Sequence, residues 1–433
     1  MIQRDCRLDY IQLLQNQVHN NPDTLLDVRK EEESDQAPPP NKLLPYLCSI
    51  PSRALVSPSL GGTPVTPQLT ENLRKILFGG TFHVFSYEWR RSLFQFRDPD
   101  SEMAYSLETD QGGARPVQTV VQARIIKHLL FSRQTGAEGR TTVHSLRDVS
   151  RRDQERALAA ALTDSLWLAG QEISATVTLV TVDYCIPPPL DYKLDNFTEK
   201  LQLFTFNDKD DVQTFILRHI HCFTEEGSHG VVLFLYSLIC SRTVERLRDD
   251  LDSPTSHLLH LRWETFVCRQ ALLNLLLTGR ASPNVFNGTV HLDEDGRPLQ
   301  HPLQGVLNRC DVGFLTWSRE QMERDRLPQV GSMLKTPRFP VWVCSINGSY
   351  SVLFSPNRSL LSDWKTEHLF HLYLCTGQNS QKTTTRLTVD THSHHWEANS
   401  DPDPEKRFPS LEMTIRTKWD GAAIDWNGTT PFY

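Results

Sequence analysis

The chain has 433 residues, and its 45 Lys+Arg against 52 Asp+Glu give a formal net charge of -7. That length favours two or three domains, or one large domain with a tail, and the acidic balance leaves no broad basic surface for nucleic acid or an anionic membrane. The sequence offers no apolar run long enough for a membrane span and no signal-peptide core after Met1-Ile2-Gln3-Arg4-Asp5, so an intracellular protein without a membrane partner is expected.

Residues 8–18 have helical spacing, after which Arg29-Lys30-Glu31-Glu32-Glu33-Ser34-Asp35-Gln36-Ala37-Pro38-Pro39-Pro40 breaks all periodicity and reads as linker. Proline and glycine stay frequent to Pro67. The expected organisation is therefore a mobile segment over residues 1–67 and a folded body over 68–433. Within it, residues 70–80 read as a capped helix ending on Gly79-Gly80, and residues 81–96 alternate as strands do.

Asp110-Gln111-Gly112-Gly113-Ala114-Arg115-Pro116 then reads as a tight turn opening an amphipathic helix, with Val117, Val121, Ile125 and Leu129 four residues apart. Proline suits the first helical turn because its missing N–H has no intrahelical partner there. A helix of residues 150–167 and a Val/Thr-rich strand over 172–185 follow. Asp208-Lys209-Asp210-Asp211 reads as an aspartate-rich helix start rather than a calcium loop. Further helices are expected over 212–222, 230–247 and 263–277. Residues 340–355 read as a hairpin turning at Asn347-Gly348, and 386–390 and 411–418 as strands.

Nine cysteines, scattered and odd in number, fit free thiols better than a disulfide framework or a zinc site. Asp390-Thr391-His392-Ser393-His394-His395-Trp396-Glu397 carries metal-ligand residue types, but a polar loop is the expected reading, with neither metal nor cofactor.

A turn entering a buried helix is where cysteine hydrolases place a nucleophile, since the N-terminal N–H groups favour a thiolate and an oxyanion. Here Arg115 fills that place. Together with Leu77-Phe78-Gly79-Gly80-Thr81-Phe82, Glu88-Trp89-Arg90, Asn284-Val285-Phe286-Asn287-Gly288, Asp311-Val312-Gly313-Phe314-Leu315, Lys335-Thr336-Pro337-Arg338-Phe339-Pro340 and Trp426-Asn427-Gly428, in this order, the stretch resembles the MINDY family of deubiquitinases, in particular its FAM188 branch.

The resemblance implies an α+β, papain-like cysteine-protease fold over residues 68–433. It also implies ubiquitin or polyubiquitin as partner, with a preference for long lysine-forty-eight-linked chains. Active members carry Gly-Gly-Pro-Cys-Gly, so the nucleophile's position falls on Arg115, the general-base histidine's on Ser349 and the oxyanion glutamine's on Thr109, with Gln111 close by. Arginine remains protonated and serine without a base is a poor substitute for imidazole. The expectation is thus that the chain is not an enzyme but a pseudo-deubiquitinase that keeps ubiquitin binding, with Asp110 or a ubiquitin carboxylate as the partner of Arg115. The alternatives are an active hydrolase with a relocated cysteine, for which Cys344 and Cys185 come into question, and a scaffold without ubiquitin affinity.

Overall fold

The computed structural model describes residues 50–109, 112–132, 143–186, 192–252, 255–292, 295–392 and 408–431. In chain order its strands and its helices of seven residues or more are β1 (Leu55–Val56), β2 (Thr63–Pro64), α1 (Pro67–Phe78), α2 (Arg115–Phe131), α3 (Arg151–Ala169), β3 (Ala175–Thr181), β4 (Leu201–Phe206), α4 (Lys209–Arg218), α5 (Gly230–Arg242) and α6 (Val244–Asp250). They continue with β5 (Leu259–Arg262), β6 (Thr265–Cys268), α7 (Gln270–Thr278), β7 (Thr289–Leu292), β8 (Pro298–Gln304), β9 (Gly313–Trp317), β10 (Val341–Ile346), β11 (Ser349–Phe354), β12 (Leu369–Cys375), β13 (Thr385–Asp390), α8 (Ser410–Arg416) and β14 (Ala423–Asp425). The class is α+β.

Two sheets organise the domain. A four-stranded one has the order β1-β3-β4-β2, and a six-stranded one the order β14-β13-β12-β11-β10-β9. Within the larger sheet β10 pairs antiparallel with β11 around Asn347-Gly348, both at positive φ as a two-residue hairpin turn requires. Its β9–β10 pair is parallel. β1 and β2 precede Gln68 yet are paired edge strands of the smaller sheet, so residues 50–67 are built into the body. Residues 1–49, including the charged proline-rich run, lie outside the described residues.

α2 crosses the centre, packed against α3, α7, β10 and β11. The expected amphipathic helix has no solvent face: Gln118, Gln122, Arg124 and Lys127 are as buried as Val117, Val121 and Ile125. Each of these four side chains finds at least one partner instead, as burial demands. Gln122 spans Leu107 N–H and Tyr105 O, Arg124 donates to Leu276 O at 2.7 Å, and Lys127 pairs with Asp164 at 2.6 Å and Asp311 at 3.1 Å.

The sheet separates two apolar clusters. Val341, Val343, Val352 and Phe354 face α2, whereas Trp342, Cys344, Leu353, Leu372 and Leu387 face outward onto Leu411, Ile415, Trp419 and Trp426. Burying each such large side chain contributes roughly 1.5–3 kcal/mol, so both faces matter to the fold.

Several local expectations are corrected. Residues 81–96 hold a short helix, Tyr87–Arg91, in place of strands, and residues 411–418 hold α8, because Leu411, Ile415 and Trp419 share a helical stripe four residues apart. Trp263 and Glu264 do not begin a helix. They form the turn of the β5–β6 hairpin, both at positive φ (48° and 66°), and Trp263 is 90% exposed.

Candidate functional site

The glycine turn before α2 is wedged against β6 and the Tyr87–Arg91 helix. A Cβ on Gly113 would lie 1.9 Å from Phe266 O and 2.7 Å from the Trp89 indole nitrogen, so only glycine fits. Trp89 Nε1–H donates to the same Phe266 carbonyl at 2.7 Å, which fixes the wall. From the end of β6, the Cys268 thiol donates to Gly113 O at 3.3 Å.

Arg115 is 3% exposed and reaches from the first turn of α2 to the sheet. Its Nη2 donates to Tyr350 O at 3.0 Å and Thr376 O at 3.1 Å. A cation at the positive end of a helix costs up to about 1 kcal/mol. Two hydrogen bonds from a charged donor, each contributing about 1.5 kcal/mol or more, outweigh that cost. Asp110, the expected carboxylate partner, lies outside the described residues, as does Gln111.

Thr109 is brought to the same place. Its N–H donates to Gly377 O at 3.0 Å, one residue beyond the carbonyl that receives Arg115, and its hydroxyl is buried without a hydrogen-bond partner. Ser349 is not brought there. In the hairpin register Ser349 opposes Ile346, which belongs to the outward cluster, while Tyr350 opposes Ser345 on the side of α2. Side chains alternate along a strand, so the hairpin side chain turned toward the helix is that of Tyr350. Burial, with a smaller contribution from Cys268, pushes the Tyr350 phenol up to about 12. The phenol is therefore neutral at physiological pH.

Sequence reasoning missed Cys268, Tyr350 and Thr376. No motif could have linked Cys268 to Gly113, 155 positions away; only the β5–β6 hairpin makes them neighbours. Of the cysteines considered for a relocated nucleophile, Cys344 is wholly buried in the outward cluster and Cys185 sits beside Thr181 on the other sheet. Burial raises the thiol pKa of Cys344 and of Cys268 well above the ordinary range. Arg115 cannot attack a carbonyl, so hydrolysis at this junction has to draw its thiol from a neighbour.

The aspartate run acts as expected for a helix start: the Asp208 carboxylate accepts from the N–H groups of Asp210 and Asp211 at the cap of α4. Among the described residues no group of three or more His, Cys, Asp or Glu side chains could hold a metal ion, and no helix is long and apolar enough to cross a membrane. Residues 393–397 of the histidine-rich stretch lie outside the described residues.

Comparison with known proteins agrees with the family resemblance of the sequence. A family model described as "Deubiquitinating enzyme MINDY-3/4, conserved domain" matches residues 74–428. The chain is 40% identical over 369 residues to the "Probable ubiquitin carboxyl-terminal hydrolase MINDY-4" of Mus musculus, covering 85% of this chain and 47% of the relative. It is 37% identical to the Homo sapiens protein of the same name over 85% of this chain and 46% of the relative. It is 28% identical over 282 residues to the "Ubiquitin carboxyl-terminal hydrolase MINDY-3" of Danio rerio, covering 59% of this chain and 58% of that one. The chain spans about half the length of the MINDY-4 relatives it matches. No solved structure gives a significant match. These matches overturn the expectation that the chain is not an enzyme: the family model describes a deubiquitinating enzyme and the relatives are named hydrolases.

Proposed function

The chain belongs to the MINDY-3/4 family of deubiquitinating enzymes, and from that premise we propose that it takes the C-terminal tail of ubiquitin between the Gly112-Gly113 turn and the carbonyls of Tyr350 and Thr376. The observation that carries this reading is the buried Arg115 guanidinium bridging helix and sheet there. An arginine held at that depth matches the planar geometry of a carboxylate, or of a peptide carbonyl that replaces one of its two main-chain acceptors. Thr109, Arg115 and Ser349 stand at the positions of the family's oxyanion glutamine, nucleophile and base, with Thr109 and Arg115 lining the tail and Ser349 behind the sheet. The substrate class is polyubiquitin, and the family resemblance favours long lysine-forty-eight-linked chains.

Exposed Trp263, on the hairpin whose other end touches Gly113, offers a surface for the body of ubiquitin. Two non-glycine residues at positive φ keep that indole in solvent, a strained arrangement of the kind that persists at binding sites.

A second reading is hydrolysis by Cys268, favoured by its 3.3 Å contact with Gly113 O. Its thiolate would attack the isopeptide carbonyl, the lysine amine would leave with a proton, and water would release the acyl group from sulfur. The thiol has first to be hydrated, because burial disfavours its anion.

Titration of the full chain with polyubiquitin, and with ubiquitin lacking its last two residues, tests both readings. Removal of the tail is expected to weaken binding at least ~10-fold, as is Trp263→Ala at an aromatic contact centre. Equal affinity with and without the tail refutes the tail site. A ubiquitin probe with a C-terminal electrophile supports the second reading if its labelling disappears in Cys268→Ser, and persistence of labelling in that variant removes it.

A further inference from the structure

A second polar cluster lies in the interior, away from Arg115. Arg74 of α1 is fully buried, with Nη2 at 2.9 Å from Asp195 Oδ2 and 3.6 Å from Glu199 Oε1. Its guanidinium lies 4.8 Å from the centre of the Tyr192 ring, and Nη1 donates to His83 O. One side chain thus ties α1 to two separate segments, the crossover through His83 and the loop over residues 192–200.

The charges do not balance, since one guanidinium faces two carboxylates. The other titratable groups around them are the phenols of Tyr192 and Tyr236, raised by burial, and His229 at the start of α5, lowered to about 4 by burial and by Arg90. At neutral pH these three are uncharged. Arg90 faces His229 rather than supplying a second cation to the carboxylates. With Arg74 and Glu199 wholly buried and the Asp195 side chain only 8% exposed, a net negative charge here is costly and a proton can remove it.

The hydrogen bonds say which carboxylate takes that proton. Asp195 Oδ1 accepts from the N–H of Phe197 at 3.0 Å and of Thr198 at 2.8 Å, and Oδ2 from the Thr198 hydroxyl at 2.9 Å. Asp195 thus has three close donors shared between its two oxygens, besides Arg74. Glu199 is wholly buried, its Oε1 has two long contacts, 3.4 Å from the Asp195 N–H and 3.6 Å from Arg74 Nη2, and its Oε2 has no hydrogen-bond partner. The Tyr192 hydroxyl is likewise buried without a partner.

We infer that Glu199 holds a proton and that Arg74, Asp195 and the protonated Glu199 form a latch fastening the His83 crossover and the 192–200 loop to α1, which opens when that proton is lost. The crossover leads directly to the site wall: Phe85 packs 5.2 Å from Trp89 and 6.1 Å from Tyr236, and Trp89 holds the Phe266 carbonyl against Gly113. The latch stands on its own contacts and does not depend on what the cleft binds.

Burial, and next the charge of Asp195, push Glu199 from its ordinary 4.5 up to about 7. A raised carboxyl favours the folded state fully below about pH 4.5, and that contribution is lost as pH rises through about 7. Between pH 6 and pH 8 the ionised fraction of such a group rises ~10-fold.

Hydrogen exchange of residues 81–90 and 192–200 in the full chain, corrected for the intrinsic pH dependence of exchange, reads the latch directly. Protection is expected to fall ~10-fold from pH 6 to pH 8 in the wild type and to stay level in Glu199→Gln, which keeps the neutral form at every pH. A level wild type, or the same fall in both proteins, overturns the latch. Should the variant not fold, the infrared carbonyl band of a buried carboxylic acid decides: present at pH 6 and lost by pH 8 in the wild type supports it, and its absence at pH 6 overturns it.

Discussion

Gly113→Ala is expected to destabilise the domain by about 3 kcal/mol, close to the upper end of overpacking costs. The new methyl group would sit 1.9 Å from the Phe266 carbonyl and 2.7 Å from the Trp89 indole nitrogen, so either β6 or Trp89 has to move and their 2.7 Å hydrogen bond has to break. The neighbouring glycine is the control. A Cβ on Gly112 meets only Glu88 at 3.8 Å, an ordinary contact, so Gly112→Ala should stay within about 0.5 kcal/mol of the wild type. Urea unfolding of both variants measures the difference. Equal midpoints for the two alanines would mean that β6 is not fixed against the turn, and the placement of Cys268 beside Gly113 would go with it.

Arg74→Ala is expected to cost about 3–5 kcal/mol, the range for removing one partner of a buried ionic group. It leaves Asp195 and Glu199 facing each other without a cation, and it removes the donor to His83 O. Because the loss forces carboxyl groups toward their neutral forms, raising their folded pKa, the penalty should be smallest in mild acid and grow as pH rises. Denaturation at pH 5.5 and pH 8 checks both the size and the sign. A cost below about 1 kcal/mol at pH 8 would place water inside the cage.

Much of the domain's construction was legible in the sequence wherever local chemistry and tertiary demand agree. α1 ends at Gly79 in the left-handed region as read, although it starts at Pro67 behind the Thr66 cap and not at residue 70, and Asn347-Gly348 turns the β10–β11 hairpin as its dipeptide announces. Misreadings arise where tertiary contacts override the pattern. Gln118, Gln122, Arg124 and Lys127 mark a solvent face only if nothing covers them, and here main-chain carbonyls and two aspartates from distant segments do. The β5–β6 turn carries Trp263-Glu264, without the glycine or asparagine that normally signals a two-residue turn, so the hairpin hides in front of the leucine-rich α7.

The candidate site divides along the same line. Thr109 and Arg115 belong to one continuous stretch and meet neighbouring carbonyls, of Gly377 and Thr376. Ser349 lies one residue from Tyr350, whose side chain is on the helix-facing side, and strand alternation makes that single step a change of face. The Cys268 thiol and the Thr376 carbonyl come from strand ends that only the folded chain brings to the turn.

The outward face of the six-stranded sheet is roofed, among the described residues, by α8 together with Trp419 and Trp426. A transcript whose reading frame stops before Ser410 would therefore encode a polypeptide that has its central helix and both sheets almost entire, yet bares a ribbon of leucine, tryptophan and valine. Such a product would be a client for chaperones and degradation rather than a shortened working protein. For the clinical or breeding interpretation of late truncating variants, the position of the stop relative to this roof matters more than the fraction of the chain that is lost.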